Sequence, residues 1–222
     1  LRRQRQMCIR DRSWGVGDFA DLAEVAAETA STYGADFVQV NPLHAAQPVP
    51  PIENSPYLPA TRRFVNPLYI AITDIAEYVD LPKADRKRVD KLARGFVADD
   101  LSTKKIKRNK AFRAKLTALE LLHAVPLRAA RAAAYRQFRR REGAGLRDFA
   151  TWCALVEKYG RDSPAWSDKL GDPVFVETER RRLAGRIEFH TWLQWICDEQ
   201  LARAQHAACL LYTSPSPRDA TL

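Results

Sequence analysis

The sequence predicts an α/β fold with a largely helical insertion. Short β-prone segments at residues 36–40 and 68–72 are separated by a proline-rich stretch, and a helical pattern precedes the first of them. From about residue 83 to residue 208 the apolar residues recur mostly at helical spacing. The order helix, strand, loop, strand and helical block is typical of α/β proteins that carry a helical insertion.

Composition limits the class of protein. With 222 residues, 46% of them hydrophobic and 28% charged, the chain is long enough and apolar enough for one packed core. No uninterrupted apolar run approaches the roughly 20 residues that a membrane-spanning helix needs, so we expect no membrane segment. The four cysteines are scattered and lack metal-ligand spacing. This pattern favours reduced thiols in a cytoplasmic protein.

The two ends differ from the rest of the chain. Residues 1–12 have no periodicity that continues into the neighbouring helical pattern, and residues 210–222 replace a helical pattern with serine and proline. Both stretches resemble translated adapter sequence, and we interpret them as non-native ends. The alternative is a native disordered tail at each end, which leaves the functional interpretation unchanged.

The first helix is predicted at residues 18–33, where apolar residues fall at spacings of three and four. Asp18 is placed to cap its amino end, and Gly34 is placed to end it. Residues 36–40 then form a β-prone run that ends at Asn41-Pro42, which predicts a buried strand leading into a loop.

The stretch 43–66 is predicted to be a long, stiff surface loop. Prolines within and beside it exclude regular structure: Pro42, Pro48, Pro50, Pro51, Pro56, Pro59 and Pro67. Long loops in compact domains are usually functional, so this loop is the first place to look for a site.

The remainder predicts helices, interrupted at Pro126 and at the glycines 143 and 145. The predicted helices span residues 83–97, 109–124, 127–141, 146–159 and 174–208. We divide the chain into a first unit at 13–80 with the loop, a helical insertion at 81–173, and a long returning helix at 174–209.

Three side chains in the loop region are candidates for binding. His44 follows the first predicted strand, where it either serves a site or makes an ordinary loop hydrogen bond. In Asn54-Ser55-Pro56-Tyr57 the proline stiffens the turn. Tyr57 offers an apolar ring face and a hydroxyl, and Ser55 offers a donor and an acceptor. These are the groups that a sugar needs, although Tyr57 also suits packing of the loop onto the body.

Four segments together resemble glycoside hydrolase family 77, the 4-alpha-glucanotransferases. They are SWGVGDFADL (13–22), FVQVNPLHA (37–45), SPYLPATRRFVNPLYI (55–70) and EFHTWLQWICDEQLARAQ (188–205). The resemblance implies part of a (β/α)8 TIM barrel, containing its first strands only, and retaining transfer of α-1,4-glucan segments. It implies binding of α-1,4-glucans and maltooligosaccharides, with no metal or organic cofactor.

In such enzymes the S-P-Y loop lines the donor sugar site, and that role carries over to Ser55 and Tyr57. Arg62 and Arg63 are candidates for glucan hydroxyls at the rim, with salt bridges inside the loop as the alternative. Retaining transfer needs two carboxyl groups about 5 Å apart. The family's arginine-x-aspartate-histidine string does not occur in this sequence. We therefore expect the catalytic carboxylates to lie beyond this chain and the isolated chain to be inactive.

Two other functions fit parts of the sequence. Residues 101–147 contain fourteen Lys and Arg against two Glu, which fits a nucleic-acid surface or the solvated side of an Arg-Ala helix. No nucleic-acid-binding module is recognisable, so we expect no nucleic-acid partner. The alternative is a non-catalytic glucan-binding module that uses tryptophans such as Trp14, Trp152, Trp166 and Trp195, although core packing is the expected role for most of them.

Overall fold

A computed structural model describes residues 13–97 and 106–210 of the chain. The predicted end 1–12, all but the first residue of the predicted end 210–222, and residues 98–105 lie outside the described residues. The helices are α1 Phe19–Tyr33, α2 Lys83–Arg94, α3 Arg108–His123, α4 Ala129–Tyr159, α5 Pro173–Arg182 and α6 Ala184–Leu210, and the strands are β1 His44–Ala45 and β2 Thr61–Val65.

Helix α1 begins and ends where the sequence predicts. The Asp18 carboxylate accepts hydrogen bonds from the backbone N–H groups of Ala20 and Asp21 at 3.0 and 3.3 Å. The Asp21 carboxylate in turn accepts a hydrogen bond from the Asp18 N–H at 2.8 Å, which completes a capping box. Gly34 ends the helix in the left-handed conformation at φ 62° and ψ 33°.

The strands are not where the sequence predicts them. Residues 36–40 form no strand, and residues 68–72 run from one short 3-10 helix, Pro67–Tyr69, into a second, Ile72–Asp74. Pro67 begins the first of these, and the Asn66 side chain caps it by accepting from the Leu68 N–H at 3.0 Å. The proline and its cap therefore override the β-propensity of the segment.

The loop predicted to lack regular structure contains β1 and β2, paired as an antiparallel hairpin. The prolines fall between the strands and not inside them, so they do not prevent pairing. The described chain is thus mostly helical with one two-stranded sheet. No strand of a parallel barrel lies within the described ranges, and the partial barrel stays a prediction.

Helix α6 forms the centre of the core. Every residue from 189 to 197 is buried, which is the pattern of a helix covered on all sides. Helices α1 and α4 both pack along it. The single helix predicted at 174–208 is instead two helices, because the chain turns at Leu183 between α5 and α6. The apolar pattern runs through this turn since Leu183 is itself buried.

Helices α2 and α3 confirm the predictions at 83–97 and 109–124 within a few residues and pack on each other. Helix α4 joins the two predicted helices 127–141 and 146–159, with a break at Gly143, where φ is 62° and ψ is −141°. Side chains of all three predicted units share one core cluster, which includes Phe19, Leu68, Leu119 and Trp192.

Buried polar side chains tie the segment 65–71 to the helices. Gln194 accepts from the Val65 N–H at 3.0 Å and donates to the Val65 carbonyl at 2.9 Å. Gln200 makes the same pair of bonds with Ala71, both at 2.8 Å. Lys115, which is 1% exposed, donates to the carbonyls of Leu68 and Ile70 at 2.9 Å. The irregular segment is therefore fixed through its backbone.

Candidate substrate-binding site

The hairpin β1–β2 brings the two ends of the predicted loop together. His44 lies opposite Val65, and the Asn66 N–H donates to the Leu43 carbonyl at 2.9 Å. The Ala60 N–H donates to the Ala45 carbonyl at 2.9 Å. Residues 46–60 therefore leave and re-enter the body at neighbouring points, and His44 stands at the base of this loop.

The turn that carries Ser55 and Tyr57 is held by short local contacts. The Tyr57 N–H donates to Ser55 Oγ at 3.4 Å, and the Tyr57 hydroxyl donates to Asn41 Oδ1 at 3.1 Å. The tyrosine is nevertheless 66% exposed. Its hydroxyl is anchored while much of its ring stays open to solvent, so the ring is available to an incoming molecule.

A cleft of about 100 Å³ lies at the base of the loop. His44 and Ser55 both line it, and Asn41, Asn54 and Asn66 supply amide groups to the same cleft. The cleft can thus offer several hydrogen-bond donors and acceptors to a polar ligand. Tyr57 does not line it and lies at its edge through the bond to Asn41.

Tyr69 and Arg108 also line this cleft, and the sequence did not single them out as site residues. Burial raises the pKa of the Tyr69 hydroxyl, against the lowering effect of nearby Arg108, so the hydroxyl stays a donor at neutral pH. Tyr69 belongs to the N-P-L-Y-I string at residues 66–70, and this motif was the one signal in the sequence that could have identified it as a site residue. Arg108 comes from helix α3, and nothing in the order of the sequence connects it to the loop.

Arg62 and Arg63 are both exposed, but they have different surroundings. The side chain of Arg62 makes no hydrogen bond or ion pair with any described residue. Arg63 donates from Nη2 to the backbone carbonyl of Glu142 at 3.1 Å and lies 3.9 Å from its carboxylate. The ion pair of Arg63 therefore reaches helix α4 and not another part of the loop.

Helix α3 and the turn after α4 hold the middle of the loop. The Ile52 N–H donates to Asn109 Oδ1 on α3 at 2.7 Å. Arg161, just beyond α4, donates to the Pro51 carbonyl at 3.1 Å. The loop is thus braced at its middle as well as at its base, and the short segment 53–59 projects from these supports.

Asp18 is the buried carboxyl group that most resembles a catalytic acid. Burial raises its pKa to about 6, and the ammonium group of Lys115, 3.8 Å away, lowers it in part. Such shifts are common in active sites. Here, however, one carboxylate oxygen of Asp18 caps α1 and the other faces Lys115. These contacts indicate a structural role for Asp18.

Other carboxylates are engaged in ion pairs. Glu77 is 3% exposed and accepts from Arg131 at 2.8 Å, so it is neither a helix cap nor a solvated side chain. Asp198 pairs with Arg141 at 2.7 Å. Within the described part of the chain no group of three or more His, Cys, Asp or Glu side chains is arranged to hold a metal ion.

The basic stretch is partly neutralised inside the molecule. Arg131, Arg139 and Arg141 pair with Glu199, Glu188 and Asp198, all of which lie on α6. Arg136 and Arg140 are exposed, as the solvated side of a helix requires.

The tryptophans considered for a glucan-binding platform offer no flat exposed surface. Trp14, Trp166 and Trp195 are buried, and Trp152 is half-buried.

The fold and the site define a mostly helical protein in which a braced loop presents an exposed tyrosine beside a polar cleft. The sequence model of the family described as 4-alpha-glucanotransferase, glycoside hydrolase family 77, matches residues 6–210. The chain belongs to this family.

Individual relatives agree with this assignment. The 4-alpha-glucanotransferases of Mycobacterium bovis and Mycobacterium tuberculosis are each 51% identical over 215 residues, covering 90% of this chain and 29% of the relative. The 4-alpha-glucanotransferase of Haemophilus influenzae is 28% identical over 221 residues, covering 88% and 30%. The chain therefore spans less than a third of the length of these curated relatives.

A solved structure is also similar. The amylomaltase of Corynebacterium glutamicum superposes with a TM-score of 0.80 at 41% identity, over 92% of this chain and 27% of that protein. The arrangement of helices and hairpin is thus similar to that of a segment of this amylomaltase. Among the described residues, none of the helices combines the length and apolar character that crossing a bilayer requires.

Proposed function

We propose that the full-length protein containing this chain is a 4-alpha-glucanotransferase that moves segments of 1,4-alpha-glucan to a new glucan or glucose acceptor. The observation that carries the proposal is the Ser55–Tyr57 turn, anchored through Asn41 beside a polar cleft. The proposal is also supported by relatives that are 51% identical to this chain and are named 4-alpha-glucanotransferase.

The role we assign to this chain is to hold one glucose unit. The exposed ring of Tyr57 suits the apolar C–H face of the sugar, while Ser55 and His44 provide hydrogen bonds from the cleft. Arg62 extends the set of donors at the rim. Such contacts orient the substrate without taking part in bond breaking, and correct orientation alone contributes several kcal/mol to catalysis.

The carboxylates that break and re-form the glycosidic bond belong, on this proposal, to other parts of the full-length protein. Retaining transfer proceeds through a covalent glycosyl-enzyme formed on one carboxylate while the second acts first as acid and then as base. No cofactor is needed for these steps. We place the enzyme in cytoplasmic maltodextrin and glycogen metabolism.

The proposal includes a partial (β/α)8 barrel in which residues 36–40 form a strand once their neighbours are present. Phe37 is 79% exposed and Val40 is 45% exposed in the isolated chain. Apolar side chains in a β-prone run are exposed in this way when the strands that would cover them are missing. On this view the units 13–80, 81–173 and 174–209 are successive parts of one barrel and its insertion.

Disproportionation of maltotriose into glucose and longer glucans tests the proposal in the full-length protein. We expect Tyr57→Ala to lower kcat/KM by roughly 10- to 100-fold because the donor sugar loses its platform. Tyr33→Ala is the matched control, since Tyr33 is 57% exposed and lies outside the hairpin. Equal activity of Tyr57→Ala and wild type would refute the assigned role.

The same assay on the isolated chain tests where the catalytic carboxylates lie. We expect no transfer from the chain alone, whereas the full-length protein is active. Conversion of maltotriose by the chain alone would place a working pair of carboxylates within these 222 residues.

A further inference from the structure

Helix α4 is broken at one point, and a side chain from the hairpin occupies the break. Gly143 has φ 62° and ψ −141°, a conformation that is essentially restricted to glycine. A break of this kind ends the regular hydrogen bonding of the first half of the helix and leaves carbonyl groups without donors. The carbonyl of Glu142 accepts a hydrogen bond from Arg63 Nη2 at 3.1 Å.

The position of Arg63 depends equally on Gly145. A Cβ atom placed on Gly145 would overlap Arg63 Nη1 and lie 2.6 Å from Cζ, far inside contact distance. The guanidinium group therefore lies directly against the backbone of Gly145. Any larger residue there must displace it. We refer to Glu142, Gly143 and Gly145 as the arginine seat.

Electrostatics favour a cation in this seat. The carbonyl end of a helix carries partial negative charge, so a guanidinium group is stabilised there. The Glu142 carboxylate lies 3.9 Å from Arg63 and also accepts from Arg141 at 2.9 Å. An exposed ion pair of this kind contributes little by itself. The carbonyl bond and the space over Gly145 therefore account for most of the contact.

The two residues after Arg63 are held by the same helical body. The Phe64 ring stacks on Phe149 of α4 with centroids 4.5 Å apart. Val65 is bonded through both backbone groups to Gln194 of α6. Three successive residues of β2 are thus attached to helices, and β2 in turn pairs with β1, which carries His44.

We propose that Arg63 is a positioning residue whose binding in the arginine seat sets the orientation of the hairpin and, through it, of the Tyr57 turn. This differs from the expectation that Arg63 contacts glucan directly, because its Nη2 group donates to α4. The effect on transfer rests on the proposed function, whereas the effect on the orientation of Tyr57 does not.

The first test measures orientation without any glucan. The full-length protein is labelled with 3-fluorotyrosine, and the Tyr57 resonance is assigned in the ¹⁹F spectrum by its loss in Tyr57→Phe. We expect Gly145→Ala and Arg63→Ala to shift or broaden this resonance. Gly185→Ala is the control, because a Cβ there meets no atom within 4 Å. An unchanged Tyr57 resonance in both Gly145→Ala and Arg63→Ala would overturn the proposal, even if the protein proved to have no transferase activity.

The second test is a double-mutant cycle on kcat/KM for maltotriose. We expect Gly145→Ala and Arg63→Ala each to lower it about tenfold, and the double variant to be no worse than either. Arg63 is exposed, so Arg63→Ala should fold even if Gly145→Ala does not. A roughly hundredfold loss in the double variant, or a silent Gly145→Ala beside a damaging Arg63→Ala, would show that Arg63 acts on the glucan itself.

Discussion

Residues 36–40 and 61–65 are two five-residue stretches whose structures are the reverse of those the sequence predicts. The first is β-prone and forms no strand, while the second lies in a proline-rich stretch and forms β2. The difference lies in their neighbours. Residues 61–65 contact β1, Phe149 and Gln194, whereas Phe37 is 79% exposed. Strand formation in this chain is therefore decided by available partners and not by propensity.

The largest expected effect comes from breaking the contacts of the second stretch. Phe64 is 7% exposed and stacks on Phe149, so Phe64→Ala removes a buried ring and leaves a cavity. We expect a loss of about 3 to 5 kcal/mol in the free energy of unfolding, measured by urea denaturation. A loss below about 1 kcal/mol would mean that β2 is not held by the helical body.

An intermediate effect concerns the helix that supports β2. Glu157, on the same helix as Phe149, bonds to Arg186 at 2.6 Å and lies 3.4 Å from His190, both on α6. Burial raises the pKa of Glu157, but the bonds to His190 and Arg186 outweigh burial and lower it from 4.5 to about 2. The carboxylate form is thus favoured by folding.

The sign of the pH effect is set by this shift. Because the folded pKa is depressed, the stabilisation is fully present above about pH 4.5 and is lost as the pH falls towards 2. We expect Glu157→Gln to be roughly 1 to 3 kcal/mol less stable than wild type at pH 6, with the gap narrowing towards pH 2. A gap that stays constant between pH 6 and pH 2.5 in denaturation curves would contradict the shift.

The smallest expected effect belongs to the first stretch. Phe37→Ala in this chain should change the free energy of unfolding by less than about 0.5 kcal/mol, since the ring has few contacts to lose. The same substitution in the full-length protein tests whether Phe37 is covered there. If neighbouring strands cover Phe37 there, as we propose, the loss rises to several kcal/mol. Equal small losses in both would argue against a strand at 36–40.

Local signals explain what could be predicted from the sequence. Asp18 and Gly34 act on the few residues beside them, so the bounds of α1 are correct. Gly143 and Gly145 mark the break in α4 for the same reason. The hairpin could not be predicted because its partners, Phe149 and Gln194, are 85 and 129 residues away from Phe64 and Val65. The turn at Leu183 also lacks a local signal, since a buried leucine suits a continuous helix equally well.

The candidate site divides in the same way. The motif around Ser55 and Tyr57 is contiguous, so the residue types and their turn were visible in the sequence. The structure adds the hydroxyl contact of Tyr57 with Asn41, and the entry of Arg108 from α3 into the cleft. The assigned glucan contacts of Ser55, Tyr57, His44 and Arg62 stay proposals. For Arg63, the contact with α4 supplies a specific alternative.

Lys115 has a practical consequence for following the opening of the molecule. Its ammonium group is held by two backbone carbonyls and lies near Asp18, with only 1% of the residue exposed. Reagents that acylate lysines need an accessible amine, so they reach this position only after α3 separates from the segment 68–70. The rate of acylation at Lys115, read by mass spectrometry of peptides, therefore reports how often the core opens.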